Sequence, residues 1–134
     1  ETLGNMGERM SPDVNDATAR AACQIAHQVG ARAIVAFTSG GTTAWRGSKY
    51  RPWTPIIAVT SLKPTLERLT LAWGISATQS PELLSLDSVF EQAGKVCTAA
   101  GLAAAGDLIV ITAGLPLAVP GTTNLLKVHR IEGQ

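Results

Sequence analysis

The sequence predicts an α/β fold, a three-layer α/β/α sandwich on a mostly parallel sheet. Three observations carry this. Residues 33–37 (AIVAF), 55–60 (PIIAVT) and 108–112 (LIVIT) are short apolar runs rich in branched side chains, the pattern of strands buried on both faces. The segments between them carry helical periodicity. The first run also stops abruptly at Thr38, Ser39, Gly40, Gly41, Thr42 and Thr43, where a helix begins, as at the strand, turn and helix start of an α/β unit.

The first helix is predicted to start at Ser11-Pro12-Asp13, with Ser11 or Asp13 as its cap. Val14, Ala17, Ala21, Ala22, Ile25 and Val29 form its stripe, and Gly30 stops it. Alanines in the stripe let the helix lie close to a sheet. A strand over 33–37 and a helix over 42–50 follow, and Pro52 and Pro55 close that helix off. A second strand covers 55–60. A helix over 64–73, capped by Ser61 or a neighbour, shows Leu66, Leu69, Ala72 and Trp73 on its apolar face and ends at Gly74. Residues 75–78 form a short strand near the sheet edge. A longer helix over 86–101 leads to the strand 108–112. A Gly/Pro-rich loop (113–121) then joins a last edge strand over 124–131.

A chain of 134 residues is one domain by size. Residues 1–11 are polar and Gly-containing, and read as a linker from a preceding domain; residues 12–134 are the domain itself. With 46% hydrophobic residues and 16% charged ones the chain can bury a core, which excludes a disordered class. A net charge of +1 gives no basis for a nucleic-acid partner. No stretch reaches the ~18 apolar residues of a membrane span, and no secretory signal is visible. Cys23 and Cys97 form no C-x-x-C pair and stand at no ligand spacing with His27 or His129, so they read as structural thiols of a reducing compartment. The expected localisation is cytoplasmic.

The turn 38–43 is the candidate site. It offers hydroxyls at Thr38, Ser39, Thr42 and Thr43, glycines that let backbone N–H groups approach a guest, and a helix N-terminus with unpaired donors. Such a site suits an anion, a phosphate above all. The same residues also suit a plain tight turn with a cap at Thr42. The loop 113–121 leaves another strand's carboxyl end, where α/β sheets bind ligands, so the two loops are expected side by side. Other chemistry is missing. Gly41 and Gly47-Ser48-Lys49 fail the nucleotide-loop pattern, because the glycine spacing is one residue too long and Lys follows Ser. No G-x-G-x-x-G or G-x-S-x-G motif appears, neither cysteine has a visible histidine partner, and carboxylates are few at strand ends. The residues describe an anion-binding module without a catalytic constellation.

Thr38-Ser39-Gly40-Gly41-Thr42-Thr43-Ala44, Ser48-Lys49-Tyr50-Arg51-Pro52 and Pro55-Ile56-Ile57-Ala58-Val59-Thr60 together resemble the C-terminal domain of pyruvate kinase. So do Gly106-Asp107-Leu108-Ile109-Val110-Ile111-Thr112-Ala113-Gly114 and Pro120-Gly121-Thr122-Thr123-Asn124-Leu125-Leu126-Lys127-Val128. The likeness spans about residues 12–131 in order and spacing. It implies a five-stranded sheet with an antiparallel last strand, a phosphorylated allosteric effector, and subunit contacts in a homotetramer. It also implies that phosphate transfer from phosphoenolpyruvate to ADP, the step in glycolysis that uses Mg²⁺ and K⁺, belongs to a separate (β/α)₈ barrel of the same parent chain. This chain alone is then non-catalytic and holds no cofactor.

The resemblance assigns an effector phosphate to Thr38, Ser39, Gly41, Thr42 and Thr43. Gly40 stands where a serine is common in effector-activated relatives. Gly114, Leu115, Pro116 and Gly121 belong to the second effector loop. Glu82 and Val89 stand where bisphosphate-activated relatives use a tryptophan and an arginine, so the expected effector is a sugar monophosphate or AMP in preference to fructose bisphosphate. The alternatives are a stand-alone phosphometabolite-binding protein of the same fold and, with no acid/base pair to support it, a small phosphatase or sugar-phosphate enzyme.

Overall fold

The computed structural model describes residues 3–49, 53–114 and 124–133. The chain runs α1 (Leu3–Val29), β1 (Ile34–Phe37), α2 (Thr42–Lys49), β2 (Ile56–Thr60) and α3 (Lys63–Glu67), which continues into a π-helical turn (Arg68–Ala72). It goes on through β3 (Ala77–Gln79), α4 (Leu86–Ala99), β4 (Leu108–Ala113) and β5 (Leu125–Arg130). The five strands form one sheet in the order β3-β2-β1-β4-β5. β1 pairs in parallel with both β2 and β4, β2 pairs in parallel with β3, and β5 runs antiparallel to β4. This is the sandwich the sequence predicts, with the antiparallel last strand at one edge and β3 at the other.

Alternation along the strands builds two different cores. One face carries Val35, Ile57, Val59, Ile109 and Ile111, which pack under Val89, Ala93, Val96 and Cys97 of α4. The opposite face carries Ile34 and Val110 beneath Ala22 and Ala26 of α1. There too, Ala36 and Ala58 meet Ala44 of α2 and Leu69 of the π-helical turn. Ser85 caps α4, its Oγ accepting from the Ser88 N–H at 3.1 Å.

Two details of α1 differ from expectation. The helix does not start at Ser11-Pro12-Asp13 but is helical from Leu3. Pro12 suits a first turn, but here it lies inside a longer helix, where it forgoes its bond to the carbonyl four residues back and its ring crowds that carbonyl. The buried stripe is also shifted in part: Ala22 is buried and Ile25 packs beside it as expected, but Ala19 and Ala26 face the sheet with them, whereas Val14 is 49% and Val29 40% exposed. Close approach to the sheet selects the phase that places the smallest side chains inward, not the most apolar ones. The helix expected over 64–73 also changes character, because its second half widens to π geometry, with the Trp73 N–H donating to the Arg68 carbonyl five residues back. No side chain caps α3; its preceding residue, Leu62, instead donates its N–H to Thr60 Oγ1.

Candidate anion site at a topological switch point

From β1 the chain moves outward through β2 to β3, then returns through α4 to place β4 on the other side of β1. The connections leaving β1 and β4 therefore diverge, and their carboxyl ends flank the crevice where α/β sheets bind ligands. The register sets Ala36 opposite Thr112, so the turn after Phe37 and the segment at Gly114 leave adjacent strand ends. The expected side-by-side placement holds for these ends. Leu115, Pro116 and Gly121 lie outside the described residues, as do the side chains of Thr42, Thr43 and Arg46.

The turn is held from inside and from one flank. The Thr38 N–H extends the sheet by donating to the Val59 carbonyl at 2.9 Å. Thr38 Oγ1 then accepts from the Gly41 N–H at 2.8 Å. A hydroxyl that accepts keeps its own proton to donate, so Thr38 remains a donor at the turn. The Gly41 carbonyl accepts the first bond of α2, from the Trp45 N–H at 3.1 Å. From α3, Thr65 Oγ1 donates to the Ser39 carbonyl. One helical turn on, an Arg68 guanidinium nitrogen donates to the Gly40 carbonyl at 3.0 Å. In a trans peptide the N–H points opposite the carbonyl. The bond at the Ser39 carbonyl thus turns the Gly40 N–H away from α3.

The two glycines have different tasks. Gly40 is exposed at the turn. Gly41 is buried at φ 86°, and a Cβ there would come within 3.2 Å of Leu69 Cδ2 and of Trp73 Cζ3. Close approach at Gly41 is therefore to the protein's own core, and its N–H is already taken by Thr38. That corrects the expectation that both glycines open the backbone to a guest. Trp45 and Trp73 meet edge to face at 5.8 Å beneath the turn, and Lys49 Nζ lies 4.7 Å from the Trp45 ring centre. Trp73 is thus a packing residue. Arg68 places a guanidinium at the turn. Its signal in the sequence was only its charge, because the contact joins residues 28 apart.

Other candidate groups are elsewhere. Val89 is 2% exposed and belongs to the core under α4. Lys95 pairs with Glu91 on α4 at 3.1 Å. Cys97 is buried, and burial pushes its thiol up to about 11; burial also raises the Cys23 thiol. Neither behaves as a ready nucleophile. Among the described residues no group of three His, Cys, Asp or Glu side chains could hold a metal ion, and no helix is long and apolar enough to cross a membrane.

The family model described as pyruvate kinase, alpha/beta domain, matches residues 16–129. The chain belongs to that family. Pyruvate kinase of Geobacillus stearothermophilus is 40% identical over 131 residues, which are 98% of this chain and 22% of that protein. Pyruvate kinase of Methylorubrum extorquens is 34% identical over 125 residues, 92% of this chain and 26% of the relative. Among solved structures, a pyruvate kinase from Cryptosporidium parvum superposes with a TM-score of 0.76 at 30% identity, covering 87% of this chain and 22% of that one. The same organism's pyruvate kinase in complex with ADP gives 0.77 at 32% identity. The chain thus spans roughly a quarter or less of the length of these relatives and corresponds to their C-terminal domain.

Proposed function

We propose that this domain is the regulatory part of a cytoplasmic pyruvate kinase and binds a phosphorylated effector at the turn 38–43. The observation that carries the proposal is the parallel pairing of β1 with β4, which brings the hydroxyl turn and the segment at Gly114 to one switch-point crevice. Thr38 supplies a hydroxyl, the Gly40 N–H faces away from α3, and α2 adds the positive end of its dipole. Arg68 adds a charge beside Gly40. In this assignment phosphoryl transfer belongs to a separate barrel of the parent chain, which would hold Mg²⁺ and K⁺, and the parent is a homo-oligomer with contacts through this domain.

The preferred effector is a monophosphate, such as a sugar phosphate or AMP. A second phosphate needs a cation where this chain has an acid at Glu82 and a buried apolar side chain at Val89. Losing one charged hydrogen-bond partner costs about 1.5–3 kcal/mol, roughly ten- to a hundredfold in affinity. A thermal melt tests this. A ligand at about 100 times its dissociation constant raises the melting temperature on the order of 10 °C for a domain of this size. Ribose 5-phosphate, glucose 6-phosphate or AMP should exceed fructose bisphosphate at equal concentration. Arg68→Ala should reduce the shift. The opposite ranking would overturn the monophosphate assignment, and no shift with any phosphate would overturn the site.

A further inference from the structure

Thr112 sits on β4 with 1% of its surface exposed, and its hydroxyl is the one buried side-chain polar atom among the described residues that has no protein hydrogen-bond partner. It lines a small cavity between α1, α2 and the sheet, together with Ala19, Ala22, Cys23, Ala44 and Gly47. The cavity offers about 10 Å³ to the centre of a water-sized sphere, close to the volume one water requires. A hydroxyl in a strand otherwise built of Leu, Ile, Val and Ala destabilises the fold unless something satisfies it. Gly47 of α2 borders the same space. The Gly47 carbonyl lies near the end of α2. Its partner is the Cys23 thiol, a weak donor, at a long 3.7 Å.

We propose that this cavity is a binding site for a single structural water. The water accepts from the Thr112 hydroxyl and donates to the Gly47 carbonyl, with the Cys23 sulfur as a weak third acceptor. The bridge joins α1, α2 and β4. It thereby ties the helix that follows the hydroxyl turn to the strand that leads to Gly114, and it stands independently of any effector. Small side chains around the cavity make the space, and the two polar groups make it wet. An apolar void of that size would stay dry.

A high-resolution crystal structure of this chain, with a parallel crystal under xenon pressure, tests the site directly. Density for one water within hydrogen-bond distance of Thr112 Oγ1 and the Gly47 carbonyl is the expected result. Xenon in the cavity, or no density there, overturns the proposal. Thr112→Val is nearly isosteric and gives a second readout whose sign discriminates. A bridged hydroxyl predicts that the valine variant melts about 3–5 °C lower. An unchanged or raised melting temperature overturns the bridge, because valine would then have removed only an unsatisfied group.

Discussion

The two faces of the sheet are built from different materials. Under α4 the sheet presents Val35, Ile57, Val59, Ile109 and Ile111, large branched side chains that interlock with Val89 and Val96. On the other face, Ala36 and Ala58 meet Ala44, and Ala22 and Ala26 bring α1 down close. The first face gains stability from area removed from water. The second gives up area for proximity, and it holds both the small cavity at Thr112 and the packing beneath the turn at Gly41. A domain can thus keep its rigid core on one side and place its finer adjustments on the other.

Truncation should therefore hurt most under α4. Ile111→Ala leaves a cavity among fully buried neighbours and should lower unfolding free energy by about 2–5 kcal/mol in chemical denaturation. On the small face the harmful change is enlargement. Ala26→Leu forces apart a helix and sheet in contact and should cost about 1–3 kcal/mol. Comparable losses from both variants would be ordinary; a harmless Ala26→Leu would show that α1 rides loosely and would break the contrast between the faces.

Gly41→Ala sharpens the comparison at the seam between turn and core. A Cβ there meets Leu69 and Trp73 at a positive φ, so a loss of about 1–3 kcal/mol is expected. Gly40→Ala, at the exposed neighbour, should cost less in the same denaturation series. Equal costs would mean that Gly41 has no special packing duty.

The smallest effect is a pH dependence at the β5 edge. His129 stacks on Phe90 at 5.8 Å, and Lys127 Nζ lies 4.7 Å from the same ring's centre. Burial and, next, the Lys127 charge lower the His129 pKa below its ordinary 6.5, with Glu132 opposing. The unfolded chain then takes up this proton first as the pH falls. The stabilisation is complete above about pH 6.5 and is lost as the pH drops through the lower folded value. His129→Gln should flatten that slope in denaturation curves between pH 7 and 5; an unchanged slope would assign it to other groups.

β1, β2 and β4 were legible in the sequence because each is a short apolar run of the kind a doubly covered position explains, and they fall within a residue of their expected bounds; β3, expected over 75–78, is Ala77–Gln79, a short edge strand without such a run. The phase of α1 was not legible. Its alanines occur on several sides of the helix, so neither hydrophobicity nor side-chain size could separate Ala17 and Ala21 from Ala19 and Ala26; the buried side shows only in the packing on the sheet. At the candidate site, the hydroxyls and glycines announced a turn. The bonds from Thr65 and Arg68 that orient its carbonyls join residues 26 and 28 apart and leave no local pattern. The π-helical turn also has no signal in the sequence that we can identify.

The central claim is that the turn after β1 receives a phosphate group. An amide-resolved NMR titration of this chain with ribose 5-phosphate tests it most directly. Saturable shifts concentrated at Ser39, Gly40, Gly41 and Gly114, and weakened in Arg68→Ala, are the predicted result. Shifts that leave the turn untouched, or none up to millimolar ligand, would contradict it.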